Sequence, residues 1–126
     1  MPHLIIEYTD NIKQEANIPQ LLKKLNQVLI SLDYPVGGIR SRAIELRDYC
    51  VADGSQDDAF VHGQLKIGSG RAMEVKQATC NRLFEVMKDH FADLFDKRGL
   101  ALSLELVEFT FPTYKLNNLH QRYKKE

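Results

Sequence analysis

The order in which apolar periods change along this chain limits its fold more than any other feature. A strand-like stretch, a helical stripe and a second strand fill the first half, and the same order returns in the second. Residues 2–8 (Pro-His-Leu-Ile-Ile-Glu-Tyr) read as a strand of β-branched and aromatic residues ahead of a Thr9-Asp10-Asn11 turn. Ile18, Leu21, Leu22, Leu25, Val28, Leu29 and Leu32 then recur at steps of three and four, forming one helical face. Asn17 is placed to cap this helix, Pro19 suits its first turn, and Asp33-Tyr34-Pro35 with Gly37-Gly38 ends it. Residues 39–52 predict a second strand, 53–58 a polar turn and 59–67 a third strand. Gly68-Ser69-Gly70-Arg71 leads into a second helix whose stripe includes Met73, Cys80, Leu83, Phe84, Met87, Phe91, Leu94 and Phe95. Lys97-Arg98-Gly99 closes it, and 101–109 alternate as a fourth strand before a polar, basic tail.

Two strand–helix–strand units predict a single α/β (α+β) domain over residues 1–126. Right-handed crossovers make each strand pair parallel. One four-stranded mixed sheet with both helices on one face is the economical solution. Ile5 opposes Leu4 and Ile6, and Phe60 opposes Val61, Leu65 and Ile67, so apolar side chains point to both sheet faces. With two helices to cover one face, another subunit is the expected cover for the other.

The charge balance narrows the partners. Seventeen basic and seventeen acidic side chains cancel, which removes any bulk electrostatic reason to bind nucleic acid or an anionic membrane. The N-terminus turns acidic at Glu7 before a signal-peptide apolar region develops, and no apolar run approaches a membrane span. A soluble, cytoplasmic protein is expected. Cys50 and Cys80 lack metal-ligand spacing and read as reduced thiols.

Pro2 is the first candidate for chemistry. If Met1 is removed, the chain starts with a secondary amine directly at the head of a predicted strand, which holds it in place. A free α-amino group titrates near ~8, and desolvation or a nearby cation lowers that value toward neutrality. Such an amine is a competent general base. Arg40 and Arg42, following Gly37-Gly38, share one strand face, while Arg71 follows Gly68-Ser69-Gly70 where its charge opposes the helix dipole. Together these arginines suit bidentate binding of carboxylates. Gly68-x-Gly70 is not a dinucleotide fingerprint, because the third glycine is missing. His3, His62, His90 and His120 show no zinc-site spacing and read as structural, and no serine or cysteine sits in a nucleophile elbow. Glu45, Asp48, Asp57 and Asp58 read as strand-face or turn charges.

Met1-Pro2 opening a strand, the two units and the arginine sites resemble the tautomerase superfamily. Within it the chain is similar to the 5-carboxymethyl-2-hydroxymuconate isomerase family. The segments concerned are Pro2–Glu7, Gly38–Arg42, Asp57–His62, Leu65–Arg71 and Asn117–His120. The resemblance implies a homotrimer with three sheets around a central barrel, and no metal or organic cofactor. It implies a small-molecule polycarboxylate substrate, a dienol with three carboxylates, ketonised to its 2-oxo-3-ene isomer during homoprotocatechuate breakdown. By the same resemblance Pro2 moves the proton while Arg40 and Arg71 hold carboxylates and stabilise the dienolate. Arg42 either joins them or pairs with acidic neighbours. Two alternatives remain at this level: a tautomerase for a smaller keto or enol acid, and a non-catalytic trimeric small-molecule-binding protein.

Overall fold

A computed structural model describes residues 1–124. The strands are β1 (His3–Thr9), β2 (Arg40–Leu46), β3 (Ala59–Ile67) and β4 (Leu100–Glu108). They form one sheet in the order β2-β1-β3-β4. β1 pairs parallel with β2 and antiparallel with β3, and β3 pairs parallel with β4, so the two predicted units meet along β1 and β3. The long helices are α2 (Ile18–Ser31) and α3 (Met73–His90), and two short ones are α1 (Lys13–Ala16) and α4 (Ala92–Lys97).

Strand alternation determines which residues form the core. Leu4 and Ile6 of β1 and Val61, Leu65 and Ile67 of β3 are buried on the helix side, against Leu21, Leu25 and Leu29 of α2 and Leu83 and Met87 of α3. Each such side chain contributes about 1.5–3 kcal/mol on leaving water. Gly63 makes room where these layers meet: a Cβ there would lie 2.9 Å from Leu104 Cδ1 and 3.2 Å from Ile6 Cδ1. Polar pins join the helices. The Tyr34 hydroxyl and Thr79 Oγ1 share a buried hydrogen bond of 3.0 Å between the end of α2 and α3. His90 Nε2 reaches the Ala16 carbonyl at 2.6 Å.

Several boundaries differ from the sequence expectation. β2 ends at Leu46 rather than running to residue 52, because it is an edge strand paired only with β1, whose own ladder ends at Thr9↔Leu46. The second helix breaks at Phe91, which is buried, so α4 starts afresh. Met73 and Phe95, assigned to the buried stripe, are exposed. Asn17 stands between α1 and α2 in the left-handed region (φ 43°) and makes no side-chain cap; its Nδ2 donates to Gln20 Oε1 at 2.9 Å. The open sheet face carries Ile5 and Phe60 as expected, but His3, Glu7, His62, Gln64 and Lys66 alternate onto it too. Among the described residues no helix is long and apolar enough to cross a membrane.

Candidate active site

The start of β1 is pinned before any side chain is considered. Pro2 is buried, and its carbonyl accepts the Arg40 backbone N–H at 2.9 Å, adding one rung ahead of the His3↔Arg40 pair. Burial of Leu4 and Ile6 fixes the register, since a slip of one residue would put both on the open face. The backbone just before Pro2 therefore has a defined place. There the Met1 amine is held below its ordinary value of 8.0, first by loss of water and then by the charges of Lys115, Arg71 and Arg40.

A cavity of about 520 Å³ opens beside this amine, between the head of β1, the loop after β3 and the segment after β4. Met1, His3, Ser69, Phe109, Thr110 and Lys115 are among its walls. Arg40 and Arg71 act on the amine by charge but stand outside this wall.

Each arginine is held differently. Arg40 Nη1 donates to the carbonyls of Gly37 (2.8 Å) and Ile39 (3.1 Å). The C-terminal tail braces this anchor: Asn117 Nδ2 donates to the same Gly37 carbonyl at 2.9 Å, and Asn117 Oδ1 accepts the Leu119 N–H at 2.6 Å. Arg71 lies over the Tyr34 ring, 4.4 Å from its centroid, a cation–π contact that sets where the guanidinium sits. Gly70 takes φ 113°, a conformation that turns the chain into α3 and that a side chain would strain. Arg42 does not join this group. Its Nη1 lies 3.1 Å from His3 Nδ1, and its charge bears on His3 rather than on the amine.

The structure thus gathers the head of β1, Arg40 and Arg71, and leaves Arg42 one step away. It adds Lys115 and Tyr34, which sequence reasoning missed. Lys115 lies in a tail without periodicity, and Tyr34 read only as part of a helix stop. The histidines divide as well. His90 is bound between Ala16 and Lys24, and His62 bridges Ser103 and Glu105 on the open face. The backbone of His120 packs over Gly37. His3 borders the cavity, so the structural reading of that residue is incomplete. Glu45 pairs with Lys13 and Asp57 with Arg98, in line with charges that serve the surface. Among the described residues no cluster of histidine, cysteine or carboxylate side chains is arranged to hold a metal ion. An amine of weakened proton affinity, beside three cations and a cavity, can exchange protons with an anionic ligand held there.

Relatives that share about half of this sequence carry one description. A family model for 5-carboxymethyl-2-hydroxymuconate isomerase matches residues 2–123. The 5-carboxymethyl-2-hydroxymuconate Delta-isomerase of Escherichia coli is 46% identical over 127 residues, covering 98% of this chain and 100% of that protein. The crystal structure of a 5-carboxymethyl-2-hydroxymuconate isomerase from Deinococcus radiodurans R1 superposes with a TM-score of 0.93 at 54% identity, covering 98% of this chain and 95% of that one. A fused 4-OT symmetric trimer shares the fold at a TM-score of 0.66 and 19% identity, over 85% of this chain and 86% of that one.

Proposed function

The chain belongs to the 5-carboxymethyl-2-hydroxymuconate isomerase family and is an isomerase, and from that premise we propose that it ketonises 5-carboxymethyl-2-hydroxymuconate through the free amine of Pro2. The observation that carries this reading is the pinned head of β1, set beside a cavity and within reach of the charges of Arg40, Arg71 and Lys115. Removal of Met1 turns the Pro2 nitrogen from an amide into a secondary amine. The same desolvation and cationic charges border the Pro2 nitrogen, and on the freed amine they would act in the same direction, lowering its proton affinity and favouring the unprotonated base.

In the reaction the amine takes the proton from the 2-hydroxyl while the electron pairs shift along the diene. A proton returned to C-5 completes the 2-oxo-3-ene product, so atoms and charge balance. Arg40 and Arg71 hold carboxylates and offset negative charge on the dienolate as it forms. The same charges that bind the substrate thereby tune the base. On this reading the enzyme serves homoprotocatechuate catabolism and works in the cytoplasm.

A homotrimer completes the reading. Phe111, Tyr114 and Leu116 are exposed on the isolated chain, and β2 and β4 leave the sheet with two open edges. A neighbour of the same fold is a symmetric trimer.

The test joins intact-mass analysis to a pH–rate profile with the dienol. Chains that have lost Met1 should carry the activity, and kcat/KM should rise with pH through an amine pKa below the usual α-amino range. Equal activity in chains that retain Met1 would remove Pro2 from the mechanism. Arg40→Ala and Arg71→Ala should each lower kcat/KM and move the rising limb to higher pH; two wild-type profiles would end the anion-site assignment.

A further inference from the structure

His3 is the residue next to the proposed base, it borders the 520 Å³ cavity, and its ring is constrained in a way the reaction above does not use. The Arg42 guanidinium lies 3.1 Å from His3 Nδ1. A guanidinium can only donate, so Nδ1 must present its lone pair, and the ring hydrogen must sit on Nε2. Among the described residues Nε2 makes no hydrogen bond. We propose that His3 is a substrate-binding residue, a neutral Nε2–H donor to a carboxylate or enolate oxygen in the cavity, and that Arg42 is the positioning residue that fixes this tautomer. The proposal rests on the cavity being the substrate site.

The surroundings favour the neutral ring. Arg42 and Arg40 approach it from β2, Lys66 from the antiparallel partner β3, and the N-terminal amine from its own strand; these charges and the loss of water hold His3 below its ordinary value of 6.5, with desolvation the largest cause. Phe109 meets the ring edge-on, with centroids 6.0 Å apart, and closes another side. A neutral donor suits this position chemically. A charged imidazolium would add to the repulsion among these cations, and a proton on Nδ1 would expel Arg42. The donor instead adds one directed contact from the β1 side to an anion drawn in by Arg40, Arg71 and Lys115.

The test uses the full chain and has a readout apart from turnover. Long-range nitrogen–carbon correlation spectra of the imidazole rings should show His3 as the Nε2–H tautomer. Saturating maleate, a planar dicarboxylate, should shift that Nε2 resonance. His3→Gln keeps an N–H near the Nε2 position, whereas His3→Leu removes it. Maleate affinity should fall about tenfold in His3→Leu and less than about threefold in His3→Gln, the difference one hydrogen bond to a carboxylate makes. Arg42→Leu should populate the other tautomer while leaving the fold intact. An Nδ1–H tautomer in the wild type, no shift with maleate, or equal binding by His3→Leu and wild type each overturns the proposal. If the wild type fails to turn over the dienol while maleate still moves His3, the proposed reaction falls and this assignment stands.

Discussion

Gly37→Ala tests whether the C-terminal tail holds Arg40 in place. A Cβ built at Gly37 lies 2.8 Å from both the Cα and the N of His120. Comfortable carbon contacts begin at about 3.5–4.0 Å, so the tail must retreat by about 0.7–1.2 Å. These are backbone atoms, so rotation of a side chain cannot relieve the clash. Residue 37 does not have a positive φ, so alanine itself meets no backbone strain there. Overpacking of this kind costs about 1–3 kcal/mol in a rigid core, and an exposed tail yields toward the low end. Its retreat breaks the Asn117–Gly37 hydrogen bond that braces the acceptor of Arg40. One such bond is worth about 1 kcal/mol, or about fivefold in kcat/KM if all of it serves to orient Arg40. Gly38→Ala is the matched control, because its Cβ would meet His120 Cε1 and Met1 Cα at an ordinary 3.6 Å. Amide exchange at Leu119, whose N–H bonds to Asn117, should quicken in Gly37→Ala alone. If the two variants match in exchange, stability and kcat/KM, the tail does not brace Arg40 and the reasoning is refuted.

Three further perturbations probe the same frame. Pro2→Ala should leave a folded protein whose kcat falls about a hundredfold, within the range for a displaced general base, and an unchanged kcat would exclude the proline amine. Tyr34→Phe should cost about 1 kcal/mol in denaturant unfolding and spare activity, because Thr79 still bonds to Val75 and the ring still underlies Arg71; Tyr34→Leu should also raise KM about threefold, and equal KM values would deny the stacking a role. His90 is held below its ordinary value of 6.5, chiefly by burial, so the unfolded chain takes its proton first as pH falls. Its contribution is whole above that value and is lost as pH drops through the folded one, so His90→Asn should flatten this part of a stability–pH curve measured by urea unfolding.

The sheet and its two long helices were legible because burial repeats with a period the sequence must display. Leu21, Leu25 and Leu29 form a stripe whether or not the partner strand is known. What stayed hidden depends on partners distant in the chain. The end of β2 is decided by where β1 stops, and nothing in residues 47–52 announces it. The break at Phe91 is invisible because the apolar stripe continues through it. At the site, Arg40 and Arg71 stood out through the glycines before them, but Lys115 lies in a stretch with neither period nor turn signature. Arg42 shows what a shared strand face leaves undecided. Spacing from Arg40 put the two on one strand face, yet the guanidinium of Arg40 folds back onto Gly37 while that of Arg42 reaches across to His3.

The ladder that begins at the Pro2 carbonyl turns the distance from the chain's start to its first core residue into a counted quantity. Leu4 cannot move without leaving the core, so residues before it are measured outward from that anchor. One residue inserted between Pro2 and Leu4 would displace the amine by about 3.3 Å and reverse the face to which it belongs. Insertions at most surface loops of a protein are absorbed by slack. Here there is none, so the segment ahead of Leu4 should be intolerant of length changes that leave composition and hydrophobicity untouched, and an affinity tag joined just before Pro2 would occupy the cavity mouth rather than trail into solvent.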